Sequence, residues 1–271
     1  MYRPLCRSEL KRLSVLSFTA AIVTIIVYSQ APIAQDLSYH LFSDTKSVFG
    51  IPNFWNVISN TPFFFVGLAG IYSVLNEKKT EGQLHSQEKS AWLLLFSGIF
   101  LTGFGSGWYH LNPDNNSLVW DRLPMSIAFM GLFAGIIAER ISHQAYKLLL
   151  WPLVGIGVAS VISWYTSELR GTGDLRMYVI VQFLPLLTIP LMMAVYSPKY
   201  THSNYVVFAL ILYGLAKGLE HFDAEIFVMT GGIMGGHALK HLFAATGCYF
   251  LAVMIKIRRI LGENEKIPGR A

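Results

Sequence analysis

The sequence predicts an all-α polytopic membrane protein, and three observations carry that reading. Of 271 residues, 53% are hydrophobic and only 14% charged, where a soluble domain carries nearer a quarter charged. Mean hydropathy is +0.46. Apolar runs recur along the chain that approach or exceed the ~20 residues a helix needs to cross a bilayer. Lys and Arg, finally, gather in alternate connections between those runs, the pattern of a multi-pass topology. The net charge of +5 is therefore read as topology and not as a nucleic-acid surface. No protein partner is predicted. Cys6 and Cys248 fall in the N-terminal tail and in the last helix, so no disulfide is expected between them.

The first segment, residues 1–30, holds Arg3, Arg7, Lys11 and Arg12 ahead of the apolar run 13–28. A signal peptide would need a small-x-small cleavage site, and Ala31-Pro32-Ile33-Ala34 is a poor one. A retained transmembrane helix is the favoured reading. Residues 31–52 then form a polar loop. Further crossings are expected at 53–75, 90–110, 118–138, 147–165, 177–196, 204–219 and 236–257. Pro185 and Pro190 should kink the sixth of the eight, which a membrane helix tolerates when the freed backbone groups find partners. Residues 259–271 form a short tail.

With the N-terminus inside, the inner segments hold Arg3, Arg7, Lys11, Arg12, Lys78, Lys79, Lys89, Arg140, Lys147, Lys199, Lys256, Arg258, Arg259, Lys266 and Arg270. Only Lys46, Arg122, Arg170, Arg176, Lys217 and Lys240 lie outside. That asymmetry predicts eight crossings with both termini in the cytoplasm.

Chemistry is expected where the last helix begins. His237-Ala238-Leu239-Lys240-His241 puts two imidazoles one turn apart on one helix face. His110, at the end of the third crossing, falls at the same depth. A single membrane histidine is usually a packing residue. Three at one depth, two in H-x-x-x-H register, read better as metal ligands, and three histidines plus water is the ligand set of a catalytic zinc. Their cost at membrane depth makes them functional candidates.

Ser106 precedes His110 by one turn and faces the same way, although a small residue beside Gly103, Gly105 and Gly107 also suits close helix packing. Asp121 opens the next helix. It is either a helix cap favoured by the dipole, paired with Arg122, or a general base beside a zinc-activated water. Asn53, Asn56, Ser59 and Asn60 repeat as one polar face of the second crossing. Packing and substrate contacts explain them equally. Glu220, Asp223 and Glu225 precede the metal helix. They read as a solvated loop or as partners for histidine N–H groups.

Taken in order, Asn53-Phe54-Trp55-Asn56-Val57-Ile58-Ser59-Asn60, Gly105-Ser106-Gly107-Trp108-Tyr109-His110, Asp121-Arg122-Leu123-Pro124-Met125 and His237-Ala238-Leu239-Lys240-His241 resemble the successive motifs of the alkaline ceramidases. These belong to a wider superfamily of seven-helix membrane hydrolases that includes the adiponectin receptors. The resemblance spans about residues 53–257 and is closer to the bacterial ceramidase-domain proteins. It implies a seven-helix domain at 53–258, zinc on His110, His237 and His241, and roles for Ser106 and Asp121 around the metal. The helix at 13–28 would be an addition before the seven. A bacterial plasma membrane, with the site towards the outer side, is the implied location. The family's acidic calcium-binding stretch is not matched: Asn53 stands where a glutamate is expected, and the preceding loop offers only Asp36 and Asp44, which argues against calcium.

The expected activity is zinc-dependent hydrolysis of a ceramide-like lipid amide to a long-chain base and a fatty acid. Asn56, Glu220 and Asp223 are expected behind the ligands. The rival readings are a seven-helix receptor or sensor holding the metal without turnover, and a transporter with a histidine proton relay.

Overall fold

A computed structural model describes residues 4–76 and 84–262 of the chain. Arg3, Lys78, Lys79, Lys266 and Arg270 of the charge pattern lie outside the described residues. The helices run α1 (Arg7–Tyr28), α2 (Phe54–Ile58), α3 (Thr61–Leu75), α4 (Lys89–Leu111), α5 (Asn115–Arg140), α6 (His143–Leu169), α7 (Arg176–Val195), α8 (Asn204–His221), α9 (Asp223–Met229) and α10 (Gly236–Ile257). Among the described residues seven spans are long and apolar enough to cross a membrane, α2 and α3 counting as one, and the pair α8–α9 makes an eighth if its two parts are one span. The all-α polytopic architecture is as the composition required.

Two expected helices are broken, each for a local reason. The crossing at 53–75 divides at Ser59 and Asn60, where Pro62 in the first turn of α3 has no N–H to give the carbonyl of Ile58. The carbonyl of Asn56 then accepts from the Ser59 hydroxyl and the Asn60 amide instead. At Phe222 the chain bends by 82° between α8 and α9. Asp223 there accepts from the backbone N–H groups of Ser43 and His237, both outside α8. Residues 223–229 are consequently a short helix and not the solvated loop expected. By contrast α7 is one helix through both Pro185 and Pro190.

Helices α4 and α5 form the most extensive pair, with α3 packed on α4, α6 and α7 on α5, α10 between α3 and α8, and α1 against α7. Small residues set the α4–α5 distance. Pro124 cannot donate to the carbonyl of Trp120, and that carbonyl lies over Gly105, where a Cβ would come within 1.9 Å of it. Close approach of this kind is what small residues permit in membrane helices.

The two ends of the bundle are built differently. At one end, Arg258 is fully buried between the rings of Trp92 and Tyr200 and faces Glu88 and Glu139, each at 3.6 Å. That arrangement joins the foot of α10 to α4, α5 and the 196–203 connection. Arg12 donates to the carbonyl of Arg140 at the same end. At the other end the 31–52 segment folds over the helix termini. It is no free polar loop: Gln35 bonds to Glu168 through its N–H, and Phe42 and Asp44 are buried.

Candidate metal centre and lipid cavity

His110 comes from the last turn of α4, and His237 and His241 from the first two turns of α10. All three are buried. Their ring centroids are 4.9, 4.9 and 5.1 Å apart, and one nitrogen from each lies within 4.8 Å of the others, close enough to hold a metal ion. The three residues that the sequence brought to one depth meet at one point.

The spare hydrogen-bonding capacity of the rings suits that role. His110 Nδ1 and His237 Nε2 are buried with no hydrogen-bond partner, a state that costs a polar group several kcal/mol in an apolar interior (roughly 2–7) unless something binds it. His241 Nδ1 lies 2.8 Å from Ser59 Oγ. Ser59 has one proton, and it goes to the Asn56 carbonyl at 3.3 Å, so the hydroxyl accepts from His241 Nδ1–H. The lone pair of His241 is thereby left on Nε2. Asn60 Nδ2, itself a donor, lies 3.4 Å from the same ring nitrogen and makes no bond to its N–H. The Ser59 contact is of the kind that orients a metal-binding imidazole. The residues present therefore fit a metal ion held by three neutral imidazoles.

Of the partners expected behind the ligands, Asn56 acts at one remove, through its carbonyl on Ser59 and its amide on the Asp44 carbonyl. Asp223 reaches the metal helix through the backbone of His237, at 2.7 Å, and not through a ring. Glu220 pairs with Lys217 and Lys240 and accepts from Tyr39, so it touches no histidine. Ser59 takes the place expected of Glu220. Asn53 donates to the carbonyl of His110 and so fixes the end of α4.

Ser106 is buried on the same face of α4 as His110 and faces the Asp121 side chain of α5 across the cavity that both line. The pairing follows from the close approach of Gly105 to Trp120, since each is the chain neighbour of one partner. Asp121 is not the cap of α5: that position belongs to Asp114, which accepts from Ser117 N–H at 2.6 Å. Those hydrogen bonds hold the Asp114 carboxyl below its usual range. Asp121 lies instead in the second turn, aimed inward.

A cavity of about 280 Å³ opens beside this pair. Ser106, Asp121 and His241 line it, with Arg122, Lys240 and Glu220 near them and an apolar wall of Leu95, Ile99, Leu132, Ile189 and Leu251 beyond. His110 and His237 lie outside that lining, under Phe42, whose ring is 4.7 and 4.4 Å from theirs. Phe42 thus covers the histidines on the side away from the cavity. Tyr39 and His40 add to the cover, His40 bonding to the Tyr109 hydroxyl and to Asn115. Burial and the nearby Glu220 charge push the Tyr39 phenol well above its ordinary pKa, so it stays a neutral donor. Sequence reasoning missed this segment. Its signal was the pair of rings Tyr39 and Phe42 in a stretch otherwise read as polar.

The fold and the site together define a polytopic helical membrane protein with a buried three-histidine centre beside an amphipathic cavity. A family model described as Ceramidase matches residues 47–268, and the chain belongs to the ceramidase family. The match contains every span from α2 to α10 and leaves α1 outside it. Comparison with curated proteins gives no match. Membership carries the general activity, hydrolysis of the amide bond of a ceramide lipid.

Proposed function

We propose that the protein is a zinc-dependent intramembrane amidase that cleaves ceramide-like lipids into a long-chain base and a fatty acid. The observation that carries the proposal is the meeting of three buried histidines, two with unpartnered ring nitrogens, beside a carboxylate that faces an apolar cavity. A zinc ion bound here would supply Lewis acidity, enough to make a water a proton donor near neutral pH. His110, His237 and His241 would hold it. Ser59, at the α2–α3 break, would orient His241.

Asp121 is the proton carrier. It takes a proton from the attacking water and delivers it to the nitrogen of the departing long-chain base. Ser106, facing the Asp121 carboxylate, turns its O–H to the oxygen of the tetrahedral intermediate, where a fixed donor has its largest effect. The apolar wall takes the acyl chain and excludes water from the reacting carbonyl. Phe42 and Tyr39 close the centre from the loop side.

Mass spectrometry of ceramide incubated with the purified protein, with and without a chelator, tests the reading. Release of long-chain base and fatty acid that stops with the chelator and returns with zinc is expected. Release that ignores the chelator would remove the metal from the mechanism.

A further inference from the structure

Beside Asp121 the cavity holds a cation without an anion. Arg122 is 7% exposed and lines the cavity. Its Nη2 donates to Gln35 Oε1 at 2.6 Å, a neutral acceptor. Its Nη1 is buried with no hydrogen-bond partner. Among the described residues no carboxylate lies within ion-pair distance of it. The rings of Trp164, Tyr178 and Tyr39 surround the guanidinium at 4.2, 4.8 and 5.7 Å. Aromatic faces stabilise a cation, but they leave the Nη1 donor unsatisfied. A buried lysine in this position would escape by losing its proton, whereas arginine cannot. A fixed charge in the cavity wall, with a buried donor left unsatisfied, is a binding group for an anion.

The rest of the polar end agrees. Lys217 and Lys240 share the single carboxylate Glu220. Three cations thus face two carboxylates, Asp121 and Glu220, around the space next to the proposed scissile bond. A neutral head group needs donors there but no surplus of positive charge. We propose that Arg122 binds an anionic oxygen group on the amine side of the lipid amide, so that the cavity prefers N-acyl lipids with an acidic head group to neutral ceramide. The proposal rests on the reading of this cavity as the lipid site. The acyl chain lies along the apolar wall, and the head group meets the guanidinium, whose planar fork offers two parallel N–H bonds to phosphate, sulfonate or carboxylate oxygens.

The test is equilibrium binding of ceramide and its 1-phosphate, with identical chains, to the purified full chain in neutral detergent micelles. Free fatty acid of the same length is the third ligand. Wild type should bind the phosphorylated lipid about tenfold to a hundredfold more tightly, the range of one charge-assisted hydrogen bond. Arg122→Gln, at an unchanged melting temperature, should lose that preference. Arg122→Lys keeps the charge without the fork and should keep only part of it, and it decides the matter if the Gln variant does not fold. Equal binding of the two lipids by wild type, or a preference untouched by either variant, overturns the proposal. Tighter binding of fatty acid than of the phosphorylated lipid, lost in the same variants, would make this a product-carboxylate site and overturn the head-group assignment. Failure of the amidase reading is seen separately: protein that binds these lipids but cleaves neither would sink the hydrolysis, while the binding ratio would still decide the role of Arg122.

Discussion

At the residue scale the account turns on two pairs of side chains. The first is Ser106 with Asp121, which separates a proton carrier from a helix cap. Asp114 caps α5 through Ser117, so Asp121→Asn should leave both fold and zinc in place. General acid–base catalysis contributes about 10²–10⁴-fold, and hydrolysis by this variant should fall by at least about a hundredfold. Turnover within a few-fold of wild type at normal zinc content would remove Asp121 from the chemistry. The second pair is Ser59 on His241, 2.8 Å. Removing the partner of a ligating imidazole costs typically 10–100-fold in metal affinity. Ser59→Ala should weaken zinc binding by about that factor, measured by competition with a chelator, with the melting temperature near wild type. Unchanged affinity would leave the orientation of His241 to packing alone.

At the element scale, the meeting of α4 and α5 makes the site. Gly105 lies against the Trp120 carbonyl freed by Pro124, and this seats Ser106 next to Asp121. Gly105→Ala forces the helices apart. It should lower stability by about 1–3 kcal/mol, as overpacking does, and should reduce hydrolysis more than metal binding. A variant with wild-type melting temperature and turnover would contradict that. The helices themselves were legible in the sequence because lipid demands long apolar runs, and the histidines because imidazole is rare at that depth. The break before Pro62 was less legible: proline is tolerated inside membrane helices, and α7 runs through two of them, so proline alone does not mark an end. The 31–52 segment was hidden for another reason. Its cover over the histidines depends on Phe42 and Tyr39 reaching across to α4 and α8, and no periodicity within a loop reports a tertiary contact. Arg122, Lys217 and Lys240, counted as outer charges by position, line the cavity, which no count of charges along the sequence reports.

At the scale of the whole molecule, the bundle has a charged, locked end around Arg258 and a catalytic end under the 31–52 segment. The distribution of Lys and Arg leads us to place the catalytic end outside. In a variant with Cys6 and Cys248 replaced by serine and alanine, a cysteine at Asn112, which is exposed at that end, should react with an impermeant thiol reagent added to whole cells. Labelling only after the membrane is opened would reverse the orientation. The central claim is that one metal ion on three buried histidines drives hydrolysis of the lipid amide. Zinc titrated into metal-free protein, with ceramide hydrolysis followed at each step, tests it most directly. Turnover should rise in proportion to bound zinc and level off at one ion per chain. Full turnover in the metal-free protein, or zinc bound at that ratio with no gain in hydrolysis, would contradict it.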